Sequence, residues 1–240
     1  MFGLSVGDLG RLKDFASPSF FEVLPARALW TEGRKLLASR RDREGFDALL
    51  EQLRPIASGP PVGVELVDQL GESSDELGPR ARGASVLALY FAQLAHLDAA
   101  ALDLRHAHFR GSPTALLWAP QPLFARWSPE FIEGIRDLYA GFYRDDDARF
   151  HGAAERLKLT PALDLFVKHF GEGDQRNVTF EMETFKDSFH AIFVRCKDAG
   201  ETLDPGFIGL GIMLSTLYEH LSTLGVPLDV RAAFEAAWPS

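Results

Sequence analysis

Four times along the chain a residue able to cap a helix stands directly before a proline at the head of an apolar-periodic segment: Ser17-Pro18, Ser128-Pro129, Thr160-Pro161 and Asp204-Pro205. Proline at the first helical position gives up only an N–H that has no partner there, and the preceding hydroxyl or carboxylate accepts from a free amide of the first turn. Gly171, Gly200 and Gly225 follow runs of the same periodicity, as glycines after a helix end do. A chain punctuated in this way folds as helices packed on helices.

Side-chain spacing agrees. Over 128–143, Phe131, Ile135, Leu138 and Phe142 recur at steps of four, three and four, and over 178–198 Met182, Phe185, Phe189, Ile192, Phe193 and Cys196 form a second stripe. The alanine-rich segment 83–104 is apolar nearly all round, as a central helix packed on several sides would be. Further helices are predicted at 7–16, 18–38, 42–55, 146–158, 160–170, 204–224 and 228–238. Strand signals are few. Residues 62–67 fit a strand or a short helix, and 115–124, broken by Pro120 and Pro122, fits an edge strand or a loop. The expected class is mainly α: a helical bundle-like domain with at most a short β-hairpin near 115–124. The proline–glycine stretch 57–61 and the polar run 71–79 separate an N-terminal helical subdomain, 1–56, from a main helical body, 62–240, both within one compact domain.

Composition then removes whole classes of function. With 25 Lys+Arg against 34 Asp+Glu, the net charge of −9 argues against a general nucleic-acid binder. A single cysteine, Cys196, precludes an internal disulfide and a thiolate-rich metal site; on its apolar stripe it reads as a small core residue. No apolar run approaches the roughly 18 to 20 residues of a membrane span. The start, Met1-Phe2-Gly3-Leu4-Ser5, lacks the basic-then-apolar order of a signal peptide, so the expectation is cytoplasmic.

Several clusters have chemical potential beside plainer explanations. Glu183, Asp187 and His190 stand at i, i+4 and i+7, within about 60° around a helix, a spacing that suits a carboxylate/histidine iron or manganese site. Their face lies roughly 140° from the apolar stripe of the same helix, which makes a solvated surface the plainer explanation. His96, His106 and His108 form a second group, flanked by Arg105 and Arg110, which would repel a cation; a helix terminus favouring His and Arg explains them as well. His151, His169 and His220 stand alone and read as surface or boundary residues. Asp145-Asp146-Asp147 reads as an acid-enriched helix start. Arg34, Lys35, Arg40, Arg41 and Arg43, beside Trp30 and Leu37, could face anionic lipid or an acidic partner, or form a solvated face. The 19 Phe residues supply core and the walls of a lipophilic pocket.

From His106-Ala107-His108-Phe109-Arg110-Gly111, through Ala115-Leu116-Leu117, to Trp127-Ser128-Pro129-Glu130-Phe131, the text resembles one stretch of the UbiB-type (AarF-like) atypical kinases. In that family the catalytic loop runs H-A-D-x-H-P-G-N, a strand leads to D-F-G, and a helix opens on an S-P-E-F-like phrase. Arg136-Asp137-Leu138-Tyr139, the acidic turn 145–147, Lys197-Asp198-Ala199-Gly200 and Leu203-Asp204-Pro205 continue the resemblance, which spans about 130 residues of the helical lobe. The departures fall on the chemistry. In this alignment His108 stands at the catalytic aspartate, Arg110 at the second histidine and Trp118-Ala119-Pro120 near D-F-G, and residues 1–105 hold only Lys13 and Lys35 as candidates for a phosphate-binding lysine. The resemblance therefore implies a pseudokinase-like accessory or binding module without cofactor, with a protein or lipophilic partner and a place in lipid or isoprenoid-quinone metabolism. A helical metal-dependent oxidoreductase and a plain protein–protein interaction module are the alternatives.

Overall fold

The computed structural model describes residues 26–71, 77–169 and 177–238. Among them the chain forms helices α1 (Ala26–Ser39) and α2 (Arg43–Ser58), strand β1 (Val64–Leu66), helix α3 (Pro79–His96) and strand β2 (Ala99–Ala101). A 3-10 turn, His106–His108, leads into strands β3 (Phe109–Gly111), β4 (Leu116–Trp118) and β5 (Phe124–Arg126). Helices α4 (Pro129–Tyr143), α5 (Asp147–Arg156) and α6 (Leu163–His169) follow, then β6 (Asn177–Val178), α7 (Met182–Asp198), α8 (Gly206–Leu224), β7 (Leu228–Asp229) and α9 (Val230–Ala237). The protein is mainly helical, as expected, and no helix among the described residues is long and apolar enough to cross a membrane.

Local signals govern several helix starts. The Ser128 hydroxyl accepts from the Phe131 amide at 3.2 Å with Pro129 in the first turn, and Asp146 accepts from the Arg149 amide at 3.0 Å. Asp204 accepts from the Gly206 amide at 2.6 Å, whereas Thr160-Pro161 opens a 3-10 turn with no side-chain cap before α6 begins. Gly225, at φ +61°, closes α8 in the left-handed region. The predicted helix 7–16, Ser17-Pro18 and Gly171 lie outside the described residues.

The predicted helix 83–104 ends at His96. Ala99–Ala101 is instead extended and pairs antiparallel with Phe124–Arg126, in register Ala99↔Arg126 and Ala101↔Phe124. Alanine favours helix locally, but here pairing with a partner 25 residues away prevails. Arg136 of α4 fixes the switch, donating to the Leu94 and Leu97 carbonyls at 2.9 and 3.0 Å where α3 runs out of partners. The hairpin also falls earlier than expected. Leu116–Trp118 pairs antiparallel with Phe109–Gly111 and parallel with Val64–Leu66, giving a small sheet in the order β1-β4-β3.

One continuous hydrophobic cluster runs from Leu36 to Trp238. At its centre Phe91 of α3 meets Tyr139 and Tyr143 of α4 and Phe234 of α9, all edge-on at centroid distances of 5.4–5.7 Å. Cys196 of α7 is buried, its thiol pushed up to about 11 by burial and by Glu201.

Candidate functional site

Apart from Ser39, the buried polar residues of the described chain gather around one irregular segment, 102–108, which leaves β2 and turns into β3. Its ends keep backbone partners, the Leu102 amide donating to the Leu123 carbonyl at 2.9 Å and the His108 carbonyl accepting from the Ala119 amide at 2.9 Å, and between and beside them side chains from the flanking helices take the backbone hydrogen bonds. Gln93 of α3 accepts from the Ala101 amide at 2.9 Å. Thr216 of α8 accepts from the Leu104 amide at 3.1 Å and places its hydroxyl 2.6 Å from the Leu102 carbonyl. His220, one turn further along α8 and fully buried, brings Nδ1 within 3.0 Å of the Leu104 carbonyl. A carbonyl only accepts, so Nδ1 of His220 carries the proton and donates it.

Asp103 is the acid at the heart of this segment, 3 % exposed. Its carboxylate accepts from the Arg105 amide at 3.3 Å and from Arg105 Nε at 2.6 Å, with a second guanidinium contact through NH2, and it lies 3.3 Å from His108 Nε2. Burial alone would push this carboxyl up; the hydrogen bonds and charges of Arg105 and His108 outweigh it and hold the group well below the usual carboxylate range. Asp103 is thus an ionised acceptor engaged from two sides.

His106 faces the other way. Its Nε2 lies 2.6 Å from the Arg82 guanidinium, and its ring stands edge-on to His220 at 5.0 Å. Arg82, 3 % exposed in the first turns of α3, only donates, so His106 accepts on Nε2 and carries its proton on Nδ1. His220 also packs on Phe109 at 4.9 Å, and Phe109 stacks on Trp118 across the β3–β4 pair at 5.4 Å. Buried Asp103, His220 and Phe109 lie beside half-buried Arg105, His106 and His108, while Arg110, next after Phe109 in β3, belongs to the opposite face of the strand. This arrangement presents hydrogen-bond donors and fixes a turn. It shows no nucleophile beside a free base.

The structure thus sends His106 and His108 to different partners, and His96 is exposed at the end of α3, so the three histidines do not converge. His220 is the clearest departure from the sequence-based expectation: far from a boundary residue, it is an anchor of the site. Arg82, Thr216 and His220 escape sequence reasoning because their partners are distant; Asp103, whose partners Arg105 and His108 are close by, leaves a visible clue as a lone acid inside the apolar text 99–104. Glu183, Asp187 and His190 lie together on the exposed face of α7, and among the described residues no three His, Cys, Asp or Glu side chains gather as a metal site. The acidic turn behaves as a helix start, with Asp145 in addition pairing bidentately with Arg231 at 3.1 Å. Arg34, Lys35, Arg40, Arg41 and Arg43 are all exposed around the α1–α2 junction, far in sequence from the loop. Between α7 and α8 an apolar cavity of about 20 Å³, lined by Phe166, Phe185, Phe189 and Tyr218 among others, has room for roughly one water-sized guest. No protein-family model and no curated protein matches the chain.

Proposed function

We propose that the protein is a non-catalytic relative of the UbiB-type atypical kinases, a helical accessory module that acts by binding, in keeping with that family's place in lipid and isoprenoid-quinone metabolism. One observation carries this: Asp103 is engaged by Arg105 and His108, and no other carboxylate occurs between it and Glu130. Three features support the kinship. A 3-10 turn at His106–His108 runs into a strand pair, a short extended segment follows, and a serine-capped, proline-led helix opens at Pro129. These stand in the order of the family's catalytic loop, strand, D-F-G and S-P-E-F-like helix.

With His106-Ala107 set on the H-A of the family motif, His108 stands at the catalytic aspartate, and the one acid nearby in sequence, Asp103, lies five residues before it. Phosphoryl transfer needs a free base for the nucleophile and oxygen ligands for magnesium. Asp103 is engaged by two donors, an imidazole stands at the catalytic aspartate's place, and Trp118-Ala119-Pro120-Gln121-Pro122 supplies no carboxylate near the D-F-G position. Lys35, one of two lysines before the loop, is exposed and pairs with Glu32 at 2.5 Å.

An ATP turnover assay with magnesium tests the proposal. Hydrolysis at the buffer rate is expected for the wild-type chain and for Asp103→Asn alike. Magnesium-dependent turnover that disappears in Asp103→Asn contradicts it.

A further inference from the structure

Among the described residues the densest run of basic side chains lies outside the kinase-like stretch. Between Arg27 and Arg43 six basic residues stand against two acidic ones, Glu32 and Asp42. Both acids are occupied: Glu32 pairs with Lys35, and Asp42 accepts from the Gly45 amide at 2.9 Å as the N-cap of α2. Among the described residues no ion pair holds Arg27, Arg34, Arg41 or Arg43.

These cations share their face with apolar side chains. At 100° per residue, Arg27, Trp30, Arg34 and Leu37 fall within about 80° of one another around α1. All four are exposed, Trp30 at 70 % and Leu37 at 41 %, the two large hydrophobics most open to solvent among the described residues. The opposite side of α1 is committed to the core: Leu36 is buried, and the Ser39 hydroxyl, also buried, donates to the Leu36 carbonyl at 2.9 Å. Exposed Arg40, Arg41 and Arg43 continue the basic surface past the end of the helix.

We propose that this face of α1 docks on an anionic lipid bilayer, lying in the interface with Trp30 and Leu37 in the headgroup–acyl boundary and the arginines on lipid phosphates. Charge complementarity selects an anionic partner, since a surplus of four positive charges sits on a chain whose total is −9. The interleaved indole and leucine select a bilayer over an acidic polypeptide. An acidic chain neutralises guanidinium groups without needing to cover Trp30, whereas the membrane interface accepts an amphipathic ring and flanking cations together.

The test is flotation of the full chain with vesicles of phosphatidylcholine alone or with added phosphatidylserine, together with tryptophan fluorescence. Trp118, Trp127 and Trp238 are buried, so a blue shift on vesicles reports Trp30. Expected results are binding to anionic vesicles only, weakening as salt shortens the screening length from about 10 Å at 0.1 M to about 3 Å at 1 M. The double variant Arg27→Glu/Arg34→Glu is expected to lose roughly tenfold or more in affinity. Trp30→Phe should abolish the fluorescence shift, and Trp30→Ala should weaken vesicle binding with circular dichroism unchanged. No vesicle binding, equal binding to neutral vesicles, or full binding by the double variant overturns the proposal. So does a preference for soluble polyglutamate that Trp30→Ala leaves intact, which would assign the face to an acidic polypeptide.

Discussion

The Asp103 carboxylate meets the His108 imidazole at 3.3 Å across a single 3-10 turn, while the neighbouring His106 points away to Arg82 at 2.6 Å. Two histidines separated by one residue thus do opposite work. One lies against a buried acid, and the other accepts from a buried guanidinium. The one buried acid of the segment that leads into the hairpin is consumed in holding that segment.

Replacing Asp103 by Asn removes an ionised acceptor that Arg105 and His108 both require, and should destabilise the protein at neutral pH by roughly 2–3 kcal/mol. Because folding holds this carboxyl below its ordinary value of 3.8, its contribution is fully present above that value and is lost as pH falls below it. Urea midpoints for wild type and Asp103→Asn should therefore differ clearly at about pH 7, and the gap should narrow progressively as pH falls below 3.8. A difference that grows on acidification would contradict the assignment.

Thr216→Val leaves the Leu104 amide without the hydroxyl that now accepts from it. An unsatisfied buried group of this kind costs about 1–3 kcal/mol. Faster amide exchange at Leu104, with Thr216→Ser restoring protection, is the expected signature.

Two glycines in neighbouring helices should respond with opposite signs. A Cβ at Gly141 of α4 would lie 2.5 Å from the Phe150 backbone nitrogen, where α5 crosses, so Gly141→Ala should destabilise by roughly 2 kcal/mol or more. A Cβ at Gly152 of α5 meets nothing within 4 Å, and Gly152→Ala should stabilise by about 0.5–1 kcal/mol. Thermal melts of the two variants decide the matter; the same sign for both would show that the α4–α5 crossing is not this close.

Arg136→Ala removes the donor that closes α3 at Leu94 and Leu97, and with it the support for turning the chain into β2. A loss of about 1–3 kcal/mol is expected. Arg136→Lys should recover only part of it, because one ammonium cannot reproduce a fork that spans two carbonyls and Asp98.

What could be read from the residues alone was what depends on near neighbours. Ser128-Pro129 announces α4 because cap, proline and apolar stripe lie within one turn, and Cys196 announces its burial by sitting on the stripe of α7. Residues 99–101 read as helix because three alanines favour it, and only Phe124–Arg126 and Arg136 make them a strand. The site followed the same division. His106, His108 and Arg110 stood out as a group, but Arg82 is 24 positions from His106 and Leu104 is 116 from His220, separations no local pattern encodes.

Calorimetric titration of the full chain with ATP and magnesium tests the central claim most directly. The account predicts no saturable heat at micromolar nucleotide, in the wild type or in Asp103→Asn. Saturable, magnesium-dependent binding with micromolar affinity, weakened by Asp103→Asn, would show that the loop still serves a nucleotide and would contradict it.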